Sequence, residues 1–328
     1  MKSVKSAKYI TQERQLVEDR PCPICGSSIY YLEGYATDWL YSKQSFPLLR
    51  NSESGLLITG SSPSEETLGE YYKSDRYISH TNSHQGIINK LYQLARSFSL
   101  PLKYRTIARY LSSTKEKGVL LDVGCGTGQF ASLVKSKGHQ VYCVEQSHKA
   151  RCYAIEHFHL PCSPSLLDLN LSQSVDVITL WHVLEHINDL SSHFACFRRI
   201  LKSSGTLVLA LPNYTSYDAR LYKDKWAAYD VPRHLWHFSP QTIQDLAAKE
   251  GFQCFRTKRM PLDAFYIALL SENNKGNRGA IAFMKAFFVG CIGALRSLVK
   301  KNESSSLIYF FRRYNTATQR EEKRKKTL

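Results

Sequence analysis

Between residues 118 and 258 the chain alternates short apolar runs with longer segments whose apolar residues recur at helical spacing. Residues 119–123, 141–145, 175–180 and 205–213 read as buried strands, the last reached through a turn at 201–205. Residues 130–137, 148–157 and 190–202 carry the helical period, and Ser239-Pro240 opens another helix running through Lys249. Leu166-Leu167 is a candidate for a further strand, and Gly251-Phe252 starts the last ones. Strands and helices in alternation make βαβ units, hence an α/β fold with a mostly parallel sheet and helices on both faces.

The flanks follow other patterns. Ser62-Pro63-Ser64-Glu65 is a capping box that should open a helix running to about Lys73. Two periodic stretches, 87–98 and 102–111, complete a helical cap over 61–117. In the last quarter Ile281, Met284, Phe288, Ile292 and Leu295 share one helical face, with Lys285, Arg296 and Lys300 along its flank. Its uninterrupted apolar run, 286–295, falls short of the ~20 residues of a spanning helix. The pattern leaves two readings open for the basic tail 272–328. One is peripheral contact of 281–328, including the Lys323–Lys326 cluster, with a membrane surface. The other is docking on the catalytic domain or on a second subunit.

Composition narrows the picture only a little. At 328 residues the chain can hold one full α/β core plus smaller extensions. Nine cysteines at irregular spacing do not form a disulfide framework, and no apolar leader follows Met1. The expected location is the cytoplasm, with the inner membrane surface as a peripheral site. A net charge of +16 suits anionic partners, but no nucleic-acid-binding signature accompanies it and no nucleic-acid partner is expected.

Chemistry concentrates at Asp122-Val123-Gly124-Cys125-Gly126-Thr127-Gly128, between the first strand and its helix. Three glycines at every second position allow positive φ and close approach of a ligand, and the helix start aims free N–H groups at it. The G-x-G-x-x-G spacing of dinucleotide folds is not met, which argues against a nicotinamide oxidoreductase. Glu145 ends the next strand about twenty residues on, where a carboxylate can accept both ribose hydroxyls. Together these stretches resemble the class I S-adenosylmethionine (SAM) dependent methyltransferases. The resemblance implies a Rossmann-like seven-stranded sheet of order 3-2-1-4-5-7-6, with strand 7 antiparallel, over residues 118–271. It implies SAM as cofactor, bound by Asp122, Gly124, Cys125, Gly126, Gly128, Glu145, Gln146, Asp168, Trp181 and His182. The acceptor would be a small molecule, with lipid-soluble phenols among the fits.

Two constellations compete for the catalytic role. Glu185-His186 recurs in relatives that resemble the ubiquinone-pathway O-methyltransferases, where it faces the acceptor, so His186 is a candidate base. Residues 213–238 form an insertion too long for a plain connection, a lid whose His234 and His237 are further candidates. His182-x-x-Glu185-His186 also fits a zinc-peptidase pattern, but it follows a strand end rather than lying within a helix. A SAM-binding protein without turnover is the remaining alternative. At the N-terminus, residues 1–60, Cys22-x-x-Cys25 is half of a zinc knuckle; Asn51 and Ser54 stand where the resemblance places the other cysteines. No bound metal is therefore expected, only a β-hairpin remnant.

Overall fold

A computed structural model describes residues 15–17, 20–72, 87–111 and 117–314 of the chain. Its centre is a seven-stranded sheet of order β11-β12-β9-β8-β5-β6-β7. β5 (Val119–Val123), β6 (Gln140–Val144), β7 (Cys162–Ser163), β8 (Val175–Trp181) and β9 (Leu201–Pro212) run parallel. β12 (Ser306–Arg313) lies antiparallel between β9 and β11 (Phe252–Arg259). Numbered along the sheet, this is the expected 3-2-1-4-5-7-6 order with its antiparallel seventh strand.

Alternation along the strands sorts the core into two layers. Leu121, Ile178, Leu207 and Leu209 join Phe194 and Phe197 of the helix Leu190–Ile200 on one face. Leu120, Val177, Val208 and Ala210 meet Phe130 and Val134 of the helix Gln129–Ser136, with Ile107 and Leu111, on the other. Both faces are covered, which is why the strands read as continuous apolar runs.

Several boundaries differ from the sequence reading. The catalytic domain does not end at 271, because the sheet's strand 7 comes from 306–313, inside the expected helical tail. Ser306–Phe311 is buried on both faces and shows no period, so nothing local marked it as part of this sheet. The third parallel strand is the two-residue β7, whereas Leu166 packs into the core from a turn. β9 begins at Leu201, without the loop expected there. The N-terminal helix α1 (Glu65–Leu68) has Ser64 rather than Ser62 as its N-cap and continues as a 3-10 turn, Gly69–Tyr72. The two cap helices fuse into one, α2 (Ile87–Leu111), with Pro101 inside it.

A second sheet, of order β1-β2-β3-β4-β10, sits beside the lid. β1 (Gln15–Val17), β2 (Ile29–Thr37), β3 (Ser45–Asn51) and β4 (Leu57–Thr59) form an antiparallel meander, more than the expected hairpin. Its fifth strand, β10 (Trp236–His237), comes from the lid and pairs Trp236 with Ile58 and His237 with Leu57. Arg233 fastens the same junction. It is 1% exposed, with its guanidinium 2.9 Å from Asp38 and 2.6 Å from Asp230. The lid is thus sewn to the N-terminal sheet and is not a free flap. Residues 77–80 and the Lys323–Lys326 cluster lie outside the described residues.

Candidate functional site

The glycine loop joins the end of β5 to the helix α3 (Gln129–Ser136). Gly124, Gly126 and Gly128 all have positive φ, at 71°, 57° and 79°. A Cβ on Gly124 would come within 2.4 Å of Val183, and one on Gly128 within 2.6 Å of Leu160, so those two glycines serve packing. Gly126 has nothing within 4 Å on that side: its open face is the cradle a ligand would fill. Its N–H donates to Glu145 Oε2 at 2.8 Å, while the Ser147 N–H donates to Oε1 at 2.8 Å. Each carboxylate oxygen keeps a further lone pair able to accept a hydrogen bond. Burial raises the Glu145 pKa, and the two backbone N–H groups work against that rise.

Asp122 is 2% exposed and accepts the Thr179 hydroxyl at 2.7 Å. Burial pushes its carboxyl up to about 7, with the Thr179 bond pulling the other way. It therefore ties β5 to β8 beneath the loop. Cys125 lies in the loop with its Sγ 3.7 Å from that of Cys162. Trp181, at the end of β8, packs edge-on against Phe130 with the Lys103 ammonium 4.8 Å above its ring, and its buried Nε1 has no hydrogen-bond partner. Gln146 and Asp168 are exposed at the rims of the next two turns.

Beyond Trp181 the backbone turns sharply. His182 has φ 58°, a left-handed conformation uncommon for a side-chain-bearing residue. Its Nε2 is 3.0 Å from Asp263 and its Nδ1 3.5 Å from Glu185. Burial opposes a charge on this ring, but the two carboxylates outweigh it and push the pKa up to about 9. Glu185 is 1% exposed, and neither carboxylate oxygen has a hydrogen-bond partner. Its charge is balanced by the His182 ring, 3.5 Å from one of its oxygens, and not by hydrogen bonds.

His186 and His234 complete the cluster, with rings 4.5 Å apart and edge-on. His186 Nδ1 lies 3.1 Å from the Arg233 carbonyl and 3.1 Å from the Tyr72 hydroxyl. A carbonyl only accepts, so the Arg233 contact favours a proton on Nδ1 with the lone pair on Nε2, while the Tyr72 hydroxyl can accept from or donate to the same nitrogen. The same logic holds for His234, whose Nδ1 donates to the Ala228 carbonyl at 3.0 Å. Burial, reinforced by His234, drops the His186 pKa to about 4, so its ring is neutral at pH 7. One ligand atom each from Glu185, His186 and His234 falls within 4.8 Å of the others, the one such group among the described residues.

The structure therefore brings His186 and His234 together and leaves His237 out. His237 is 4% exposed, with its Nε2 2.9 Å from Thr59 and its ring edge-on to Tyr229. It fastens β10 to the N-terminal sheet, which removes it from the base candidates. The peptidase pattern does not form either: Leu184–His186 is a 3-10 turn after a strand, and His182 turns to Asp263. Sequence reading missed Asp263, Arg233 and Thr179, each 47 or more residues from its partner in the site. Pairing at such distances leaves no local signal.

A Gly-rich turn, an acidic residue ending the following strand and this sheet order together define a class I SAM-dependent methyltransferase. A family model described as a methyltransferase domain matches residues 93–256, half of the chain, and the chain belongs to that family. The cofactor of this class is SAM, and the open face of Gly126 with the Glu145 carboxylate fits it. The ubiquinone biosynthesis O-methyltransferase of Pasteurella multocida is 29% identical over 148 residues, 40% of this chain and 59% of that protein. A probable SAM-dependent methyltransferase of Mycobacterium tuberculosis is 27% identical over 104 residues, 30% of this chain and 37% of that protein. The chain thus spans less than two thirds of the length of each of these relatives. Among solved structures, the magnesium protoporphyrin IX methyltransferase of Synechocystis with bound S-adenosylhomocysteine superposes with a TM-score of 0.50 at 13% identity. That superposition covers 76% of this chain and all of the other, a likeness of fold.

Proposed function

We propose that this chain transfers the methyl group of SAM to an oxygen of a small-molecule acceptor, with His186 taking the proton. The supporting observation is the contact of His186 Nδ1 with the Arg233 carbonyl, which favours the Nδ1–H tautomer. In that tautomer a neutral Nε2 is presented beside the buried Glu185. SAM carries its leaving group already activated as a sulfonium. The protein's tasks are to hold donor and acceptor in line and to accept the acceptor's proton. Glu185 stabilises the imidazolium formed on transfer, and the sewn-down lid keeps water from the reacting atoms. The test is release of S-adenosylhomocysteine with a panel of phenols. His186→Asn should lower turnover by about 10²–10⁴-fold with unchanged SAM affinity, and unchanged turnover would remove His186 from the mechanism.

A divalent cation held by Glu185, His186 and His234 is the second reading, favoured by the convergence of one ligand atom from each within 4.8 Å. Two imidazoles and a carboxylate form an open site for zinc or a similar ion, which would acidify an acceptor hydroxyl directly. A chelator separates the two: turnover unaffected by EDTA supports the histidine base, and turnover lost and then restored by added cation supports the metal.

A further inference from the structure

Between β11 and β12 the chain leaves the sheet as a helical hairpin, α8 (Pro261–Asn274) and α9 (Gly279–Val299). Its packing is the reverse of a soluble helix. The buried positions of α9 are Ala282, Ala286, Gly290, Gly293 and Ser297, all small. Gly290 lies so close to α8 that a Cβ there would come within 2.4 Å of the Phe265 ring. The large apolar side chains face outward: Phe283, Met284, Phe287, Phe288, Leu295 and Leu298 are each half exposed or more. Small residues between helices and bulky ones outside is the arrangement of helices solvated by lipid.

We infer that α9 docks on an anionic membrane, lying in its surface with this bulky face among the acyl chains. Length and hydropathy alone would let α9 cross a bilayer, since 21 residues reach about 31 Å. The topology forbids a simple crossing. The hairpin leaves β11 at Arg259 and returns at Ser306, and Arg259 pairs with Leu307, so both ends are fixed to one end of one sheet. The tip between the helices is polar and includes exposed Lys275 and Arg278, which resists insertion tip-first. A helix in the interface plane meets both constraints.

Charge selects lipid over a second copy of the chain. Arg278 and Lys285 flank the first half of α9, Arg296 and Lys300 its end, all exposed. Near that end Arg220, Arg296 and Lys300 share the single carboxylate of Glu303, leaving net positive charge. In a two-fold self-contact through this face, cations of one copy would be set against cations of the other, whereas anionic headgroups neutralise them. The first turn of α8 also reaches the site through Asp263, 3.0 Å from His182. Resting on the transfer reading above, this places the acceptor site at the membrane's edge and selects an amphiphilic acceptor.

The test is vesicle flotation of the full chain. Liposomes of phosphatidylcholine alone are compared with an equimolar mixture with phosphatidylglycerol, and S-adenosylhomocysteine affinity is measured in parallel as a check of folding. The wild type should float with the anionic vesicles. Phe288→Glu with Leu295→Glu, both at exposed positions, should lose at least about tenfold in partitioning while keeping that affinity. A wild type that stays down with both vesicles, or a double variant that floats as well as the wild type, overturns the inference. So does a wild-type dimer that the same variant dissociates without any flotation, which would make this face a self-contact. Failure here leaves cofactor binding intact and so stays distinct from failure of the transfer reading.

Discussion

At the N-terminal knuckle, Cys22 meets Ser54 at 3.1 Å and Cys25 donates to Asn51 at 3.2 Å. Asn51 also accepts from the N–H groups of Glu53 and Ser54 and donates to the carbonyls of Ser27 and Ile29. Its amide thus does the cross-linking that a metal ion does in a zinc ribbon. In the lid cluster, Glu185 is as deeply buried yet has no hydrogen-bond partner. The knuckle carries a metal-like motif in sequence but is chemically complete. The lid cluster carries only a weak motif, and its carboxylate is held by the charge of His182 without a hydrogen bond. What separates the two is how far their polar atoms are hydrogen-bonded, not the motif that first draws attention.

That contrast makes its own tests. The largest expected effect is on turnover: Glu185→Gln should cost about 10²–10⁴-fold with SAM affinity unchanged, while Asn51→Ala leaves turnover intact. Equal losses from both would erase the distinction. Next, Asn51→Cys with Ser54→Cys should convert the knuckle into a four-thiolate site holding one zinc per chain by elemental analysis. Absence of zinc in the folded double variant would show that the four positions do not converge as a ribbon does. Asn51→Ala alone should cost about 1–3 kcal/mol in denaturant unfolding, because buried backbone groups lose their partners; no change would make the amide dispensable.

The smallest effect concerns His237, which burial holds down at about 3 against an ordinary 6.5. Below pH 6.5 the unfolded chain takes up a proton that the folded ring refuses, so stability falls as pH drops from 6.5 toward 3 and is level above that window. His237→Asn should reduce this slope in thermal unfolding, leaving the part that His186 contributes between 6.5 and 4. An unchanged slope would place the titration elsewhere.

The catalytic sheet was largely legible because both its faces are buried, so its parallel strands announce themselves as apolar runs ending at glycine or an acidic residue. Asp122 and Glu145 were readable for the same reason: each stands beside such a strand end. β12 was not, since a strand inserted after a helical hairpin has only its own apolarity to mark it. Arg233, Asp38 and Asp230 were not legible either, because a buried ion cluster between residues nearly two hundred positions apart looks like surface charge in sequence. The insertion was recognised as a lid but not as a strand of the second sheet, since β10 is only two residues long.

One measurement bears most directly on the whole account: calorimetric titration of S-adenosylhomocysteine into the purified chain and into Glu145→Ala. The account predicts micromolar binding at one site per chain, with a sharp loss when the carboxylate bridging Gly126 and Ser147 is removed. No binding by the folded wild type, or equal binding by the variant, would contradict the assignment of the glycine loop and Glu145 as the cofactor cradle.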